Sequence, residues 1–250
     1  MKKLLIAMML MIGSNAFCQD VTVLMKEASN LERSMKEGEA FQKYQQVILL
    51  DPTNIKALVK SSELASIMGG RLTDKKQRTE WLDKSKGYAE KALAADSVSV
   101  EALYALALVN DKYSETETEN KKLVTYLRDM KKYADKAVAV KPDNGKANYI
   151  LGKWNYNLVV MPWTKKAALK VLFGGMPDGN IDSVYTHMEK CRTAEPYFLP
   201  NFFYLAKAYK FDDKPAKAIE LLNQVVKLPT RTSEDVALKA EGKTILSEMQ

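Results

Sequence analysis

The 250-residue chain has two cysteines, one histidine, eleven glycines and eight prolines. Each scarcity excludes something. Two cysteines cannot build a disulfide framework, and one of them, Cys18, falls in a segment expected to be removed. A lone histidine, His187, cannot complete the three or four ligands of a zinc site, even with Cys191 four residues on. Few glycines and prolines leave long stretches unbroken, which favours helix, as do the many Ala, Leu, Lys and Glu residues. No block of Lys and Arg exceeds two residues, so the net charge of +7 is not gathered into a visible nucleic-acid patch. What is present is ordinary for a globular chain: 46% hydrophobic and 28% charged residues, enough to bury a core without covalent staples.

The amino terminus stands apart. Lys2 and Lys3 precede an apolar run, Leu4 to Ile12, that is too short to span a bilayer as a helix. Gly13, Ser14 and Asn15 break it, and the small residues Ala16 and Cys18 follow. This is the layout of a signal peptide over residues 1–18 with cleavage before Gln19. The expected mature chain, 19–250, is exported and periplasmic or envelope-associated. Asn15 and Phe17 match a lipobox poorly, so membrane contact is expected only if Cys18 is lipidated.

Beyond the leader a phrase recurs, at 44–54, 88–99, 133–144 and 187–198, with a shorter form at 222–230. Tyr44, Ala89, Ala134 and Met188 each stand three residues before Val47, Ala92, Ala137 and Cys191, on one helix face. Pro52, Ser97, Pro142 and Pro196 come five residues later and end each helix. A new apolar-periodic helix then begins, as in 55–68, 100–111, 147–159 and 202–211. Leu151 beside Gly152, and Leu205 beside Ala206, set a large residue next to a small one that lets a partner helix approach. The pattern resembles the tetratricopeptide repeat, best at 199–229, where Phe202, Leu205, Ala206, Tyr209, Ala218, Leu222 and Val225 fall at that family's spacing. The stops lie farther apart than that family's period of about 34 residues until the last interval. The excess is expected between the two helices of a pair, near 69–76, 113–121 and 161–180, the last with a short helix between Pro162 and Gly174. Thr232 and Asp235 resemble a capping box for a final helix over the edge of the stack. The fold class is therefore all-α: a tetratricopeptide-like solenoid of antiparallel helix pairs, with inserts in the middle repeats and a C-terminal capping helix.

Stretched repeats of this kind resemble the regulator of microtubule dynamics proteins. The resemblance rests on PDNGKANYILGKWNY, the Trp163-to-Phe173 segment ending KVLFGG, the AEPYF and LPNFFYLAKAY runs, and LPTRTSEDVALKAEGKTIL. Animal members carry a membrane anchor and are associated with microtubules and organelle contacts. For an exported chain the resemblance implies the fold and a binding role, not the partner.

Catalytic and metal constellations are weak. Cys191 occupies the slot that Val47, Ala92 and Ala137 fill elsewhere, and so reads as a packing residue. Asp178, Asn180, Asp182 and Glu189 copy part of a calcium loop, but Ser183 replaces its glycine, and Ile181, Val184, Met188 and Cys191 form one helix face through it. Gly174, Gly175 and Gly179 follow no strand and precede no Gly-Lys-Ser/Thr, so they make no phosphate loop. Glu115, Glu117 and Glu119, like Asp212 and Asp213, read as solvated loop acids. No metal, no cofactor and no enzymatic activity is expected.

One strip stands out. The first helix of each pair in such a stack lines the concave groove. Four-residue steps along these helices give Tyr104, then Tyr149 and Lys153 with Tyr156 following, then Phe203 and Lys207 with Lys210 following. Aromatic area beside ammonium groups suits a protein or peptide segment with an acidic or carboxylate-terminated end. The expected function is a non-enzymatic binding scaffold of the cell envelope, with no nucleic-acid partner. The alternative is a carrier of a small apolar or lipid ligand under the 161–179 insert, walled by Trp154, Trp163 and Phe173.

Overall fold

The computed structural model describes residues 20–172 and 178–250. The expected leader, the proposed cleavage site and Phe173, Gly174 and Gly175 lie outside the described residues. Regular structure among the described residues is helical throughout. Helix α1 (20–33) pairs with α2 (Glu37–Leu50), α3 (Ile55–Gly70) with α4 (Lys75–Ala95), and α5 (Val100–Ser114) with α6 (Asn120–Val140). Helix α7 (Gly145–Val160) pairs with α9 (Ile181–Ala194), with the extra helix α8 (Trp163–Leu172) between them. Helices α10 (Leu199–Phe211) and α11 (Pro215–Lys227) follow, and α12 (Ser233–Glu248) closes the chain.

The recurring phrase is a recurring joint. The backbone N–H groups of Asp51, Asp96, Lys141 and Glu195 donate to the carbonyls of Val47, Ala92, Ala137 and Cys191, closing α2, α4, α6 and α9 in the same way. Those four acceptor residues are all completely buried, which is why the position takes only small or apolar side chains. Three residues after Asp51, Asp96 and Lys141 the next helix starts at a capping side chain. Asn54, Ser99 and Asn144 accept from the backbone N–H of Ala57, Ala102 and Ala147, satisfying a donor the helix itself cannot.

The excess length of the middle repeats is placed differently from the sequence expectation. The connections around 71–74 and 115–119 are short, and the added residues lengthen α4 and α6, which run 21 residues each. These segments contain no proline and Gly87 is their one glycine, so helix continues where a loop was expected. The third insert does form the expected helix, α8, held by the buried side chain of Leu169 against α6.

Successive first helices α3, α5, α7 and α10 touch one another in a row, while their partners stack outside. Helix α12 lies on α10 and α11, with Gly242 against Val225. At Gly152 the pairing of α7 with α9 is at its tightest: a Cβ there would stand 2.5 Å from Met188 Cγ and 3.4 Å from the Met188 backbone nitrogen. Gly152→Ala should therefore lower the unfolding free energy by about 1–3 kcal/mol through overpacking. Chemical denaturation of the two proteins checks this, and an unchanged midpoint would mean that the helices separate freely at this point.

Candidate functional site

The inner face of the helix row does not present an open strip. Five of the seven expected groove residues, Tyr104, Tyr149, Lys153, Tyr156 and Phe203, are buried, Lys207 is half-buried and Lys210 is exposed. Phe203 is only 1% exposed, packed in the cluster that joins α10 to α11 and α12. Tyr156 packs edge-on against Tyr204. Lys207 and Lys210 pair with Glu241 and Glu248 of α12 at 2.9 and 3.4 Å. The expectation of one exposed aromatic and basic channel is thus corrected, because first helices contact both neighbours and α12 lies across the last of them.

Lys153 shows the correction most clearly. Its side chain is 2% exposed, and its ammonium donates to Asp111 Oδ2 at 2.6 Å and Glu115 Oε1 at 3.0 Å, above the ring of Tyr204. Burial disfavours the ammonium, but Asp111, Tyr149, Tyr204 and Glu115 together outweigh it and hold the Lys153 pKa well above the usual lysine value. Glu115, expected as a solvated loop acid, is turned inward. It also accepts from Lys112 at 3.1 Å and from Arg78 at 3.2 Å. Burial would raise the Glu115 pKa, yet Lys153 and Lys112 hold it down at about 2. Arg78 further donates to the carbonyls of Gly70 and Lys112, meeting the otherwise bare ends of α3 and α5.

Tyr104 and Tyr149 do come together, in a chamber of about 800 Å³ on the concave side. Tyr44, Leu108 and Phe198 add to its apolar wall, and Lys60, Glu63 and Lys146 form a charged ridge. Glu63 accepts from Lys60 at 3.1 Å and Lys146 at 2.9 Å, and Lys146 lies over the Tyr104 ring. Among the described residues that line the chamber, Arg33, Lys56 and Arg231 are exposed cations without an ion-pair partner. Nothing in the sequence pattern pointed to Glu63, Lys146 or Arg231. The available signal was a charged residue inside an otherwise apolar helix run, as Glu63 is within α3.

The rim of the chamber is bridged where α12 meets α2. Ser233, the first residue of α12, donates its backbone N–H to Glu37 Oε1 at 2.9 Å and its hydroxyl to the same carboxylate at 2.6 Å, across 196 residues. Arg71 binds that carboxylate at 2.7 Å, and Glu234 pairs with Lys112 at 2.5 Å. The expected capping box is present: Thr232 accepts from the Asp235 N–H and Asp235 accepts from the Thr232 N–H. It fixes α12's first turn over the chamber.

The remaining candidates separate. Cys191 is a free, fully buried thiol whose pKa burial pushes up, and His187 Nδ1 meets Asn148 Oδ1 at 2.9 Å. Helix α9 runs straight through the would-be calcium loop, and Asn180 spends its side chain accepting from the N–H groups of Asp182 and Ser183. The space beneath the 161–179 insert is about 10 Å³ among the described residues, too small for a ligand. Trp163 points to solvent, and Trp154 is buried with its Nε1 donating to the Leu127 carbonyl at 2.8 Å. Two of the three expected walls therefore do not face a shared pocket, and the third, Phe173, lies outside the described residues.

The charged ridge has a pH signature. Burial opposes the Glu63 carboxylate, but Lys146 and Lys60 lower its pKa from 4.5 to about 2. A depressed carboxylate pKa stabilises the fold fully above the unfolded value and loses that stabilisation as pH falls through the folded value. The fold should therefore weaken between about pH 4.5 and pH 2, by roughly 3 kcal/mol from Glu63. Glu63→Gln should flatten this part of the stability curve in urea titrations at stepped pH. An identical acid limb in both proteins would show that the ridge does not hold a charged carboxylate.

Comparison with known proteins agrees with this architecture. The family model described as Regulator of microtubule dynamics protein 1-3 matches residues 24–250. Regulator of microtubule dynamics protein 3 of Bos taurus is 24% identical over 232 residues, covering 92% of this chain and 49% of that protein. Regulator of microtubule dynamics protein 2 of Homo sapiens is 28% identical over 116 residues, covering 45% of this chain and 28% of that protein. The chain thus spans about half or less of the length of these relatives. Among solved structures, a thermophilic TPR protein of Thermus thermophilus superposes with a TM-score of 0.64 at 11% identity, covering 90% of this chain and 98% of that one. PilF of Pseudomonas aeruginosa gives 0.53 at 9% identity, covering 94% and 88%.

Proposed function

Since this chain belongs to the regulator of microtubule dynamics family and folds as a tetratricopeptide-type solenoid, we propose that it is a non-enzymatic interaction scaffold that receives part of a protein partner in its concave chamber. The chamber itself is the observation that carries this reading. It offers phenol rings at Tyr104 and Tyr149 and charged groups around them, in a space of about 800 Å³. Arg33, Lys56 and Arg231 favour an acidic or carboxylate-terminated end, because none of them forms an ion pair among the described residues. The binding face therefore differs from the strip expected from the sequence: it uses Tyr104 and Tyr149 but replaces Lys153, Lys207 and Lys210 with these three cations. Microtubules enter through the names of relatives of which this chain covers about half or less, and this reading does not draw on them.

The reading includes export. Lys2, Lys3, the run from Leu4 to Ile12 and the Ala16/Cys18 pair support a leader over 1–18 and a mature chain in the envelope. N-terminal sequencing of the protein from its native source should begin at Gln19. An intact Met1 would refute export by this leader, and an acylated Cys18 would make the protein membrane-anchored.

A second reading rests on the chamber's size. Its volume falls in the range of about 300–1,000 Å³ typical of small-ligand sites, and the first turn of α12 lines its rim. A carrier would hold an amphipathic small molecule here, not under the insert. Native mass spectrometry of the protein from its own source separates the two readings, since a co-purifying mass of a few hundred daltons favours the carrier. For the scaffold, partner capture should weaken with salt. Arg33→Glu, Lys56→Glu and Arg231→Glu together should slow association at least about tenfold and remove most of that salt dependence. Unchanged rates in surface plasmon resonance with the captured partner would exclude the chamber mouth as the binding site.

A further inference from the structure

Helix α8 carries an outward apolar face that the chamber does not use. Trp163, Ala167 and Val171 stand four residues apart, so they form one stripe along the helix. Trp163 is 77% and Val171 85% exposed, although α8 is already anchored inward by Leu169. Large apolar side chains at that exposure on both ends of one stripe are costly in water unless something covers them. The helix also carries Lys165, Lys166 and Lys170 and no acidic residue. Lys166 donates to the Val159 carbonyl and Lys170 pairs with Asp178.

This chemistry selects among covers. Protein interfaces are depleted in lysine and bury about 800 Å² per partner, more than three side chains on a ten-residue helix provide. A bilayer surface imposes neither limit. Tryptophan places its ring at the headgroup level, lysine stems lie along the apolar boundary, and ammonium groups meet lipid phosphates. With ten residues α8 is too short to span a bilayer, and no helix among the described residues is long and apolar enough to cross one. We propose that α8 is an interfacial element that seats the protein reversibly on an anionic membrane surface, with Trp163 and Val171 entering the headgroup boundary and the lysines contacting lipid phosphate. The proposal is independent of what the chamber binds.

Vesicle co-sedimentation of the full chain tests it. At low salt the protein should sediment with vesicles of equal parts phosphatidylcholine and phosphatidylglycerol, and far less with phosphatidylcholine alone. Trp163→Ala should reduce the bound fraction at least about tenfold, as should Lys165→Glu with Lys170→Glu. Circular dichroism should be unchanged in these variants, because the side chains are at the surface. Comparing variants of one chain cancels any contribution from the amino terminus. Trp163 emission should shift to the blue on adding anionic vesicles, an effect absent from Trp163→Ala. Sedimentation of Trp163→Ala equal to that of the parent would overturn the proposal, as would no preference for the anionic vesicles. Dimerisation abolished by Trp163→Ala without vesicle binding would assign the face to a second copy instead, and would also overturn it.

Discussion

The arrangement depends on one carboxylate. Glu115 sits just past the end of α5 and gathers cations from three helices: Arg78 of α4, Lys112 of α5 and Lys153 of α7. Lys112 passes the connection on to Glu234 of α12, and Lys153 to Asp111. Two consecutive repeats, the next one and the cap are thereby indexed to a single point. A buried network of this kind adds little net stability over an apolar core, but losing one member leaves a charge without compensation, at a cost of several kcal/mol. The network ties α4, α5, α7 and α12 together at one point beside the chamber.

How much of this was legible follows from what each residue's neighbours are. The joints between repeats read directly, because capping and chain reversal are local: Asn54, Ser99 and Asn144 act on residues three positions away. Buried positions Val47, Ala92, Ala137 and Cys191 read equally well, since repetition compares each with its siblings. The extra helix α8 and the capping helix were visible for the same reason. The family, too, followed from motifs that stay contiguous in the chain.

The site was less legible. Four-residue stepping places Lys153 correctly on the inner side of α7, yet it cannot say that Asp111 and Glu115 wait opposite, about forty residues earlier. An inward lysine reads alike whether it faces a partner or a buried acid. The same limit applied to Lys207 and Lys210, whose partners Glu241 and Glu248 belong to a helix packed by tertiary contact. Helical periodicity assigns a face, not what stands against it. The unexpected lengthening of α4 and α6 had a different origin: spacing shows that residues are added, while their lack of breakers decides that they stay helical.

The contact between Glu37 and Ser233 changes the kind of object this stack is. A solenoid whose repeats meet only their immediate neighbours is quasi-one-dimensional, with ends that can loosen without consulting each other. Joining residues 196 apart turns the row into a loop. Closing so long a segment costs chain entropy that local pairs avoid, so this joint belongs late in folding, after the repeats have stacked. Disturbance at either end of the row is then passed to the other through this joint.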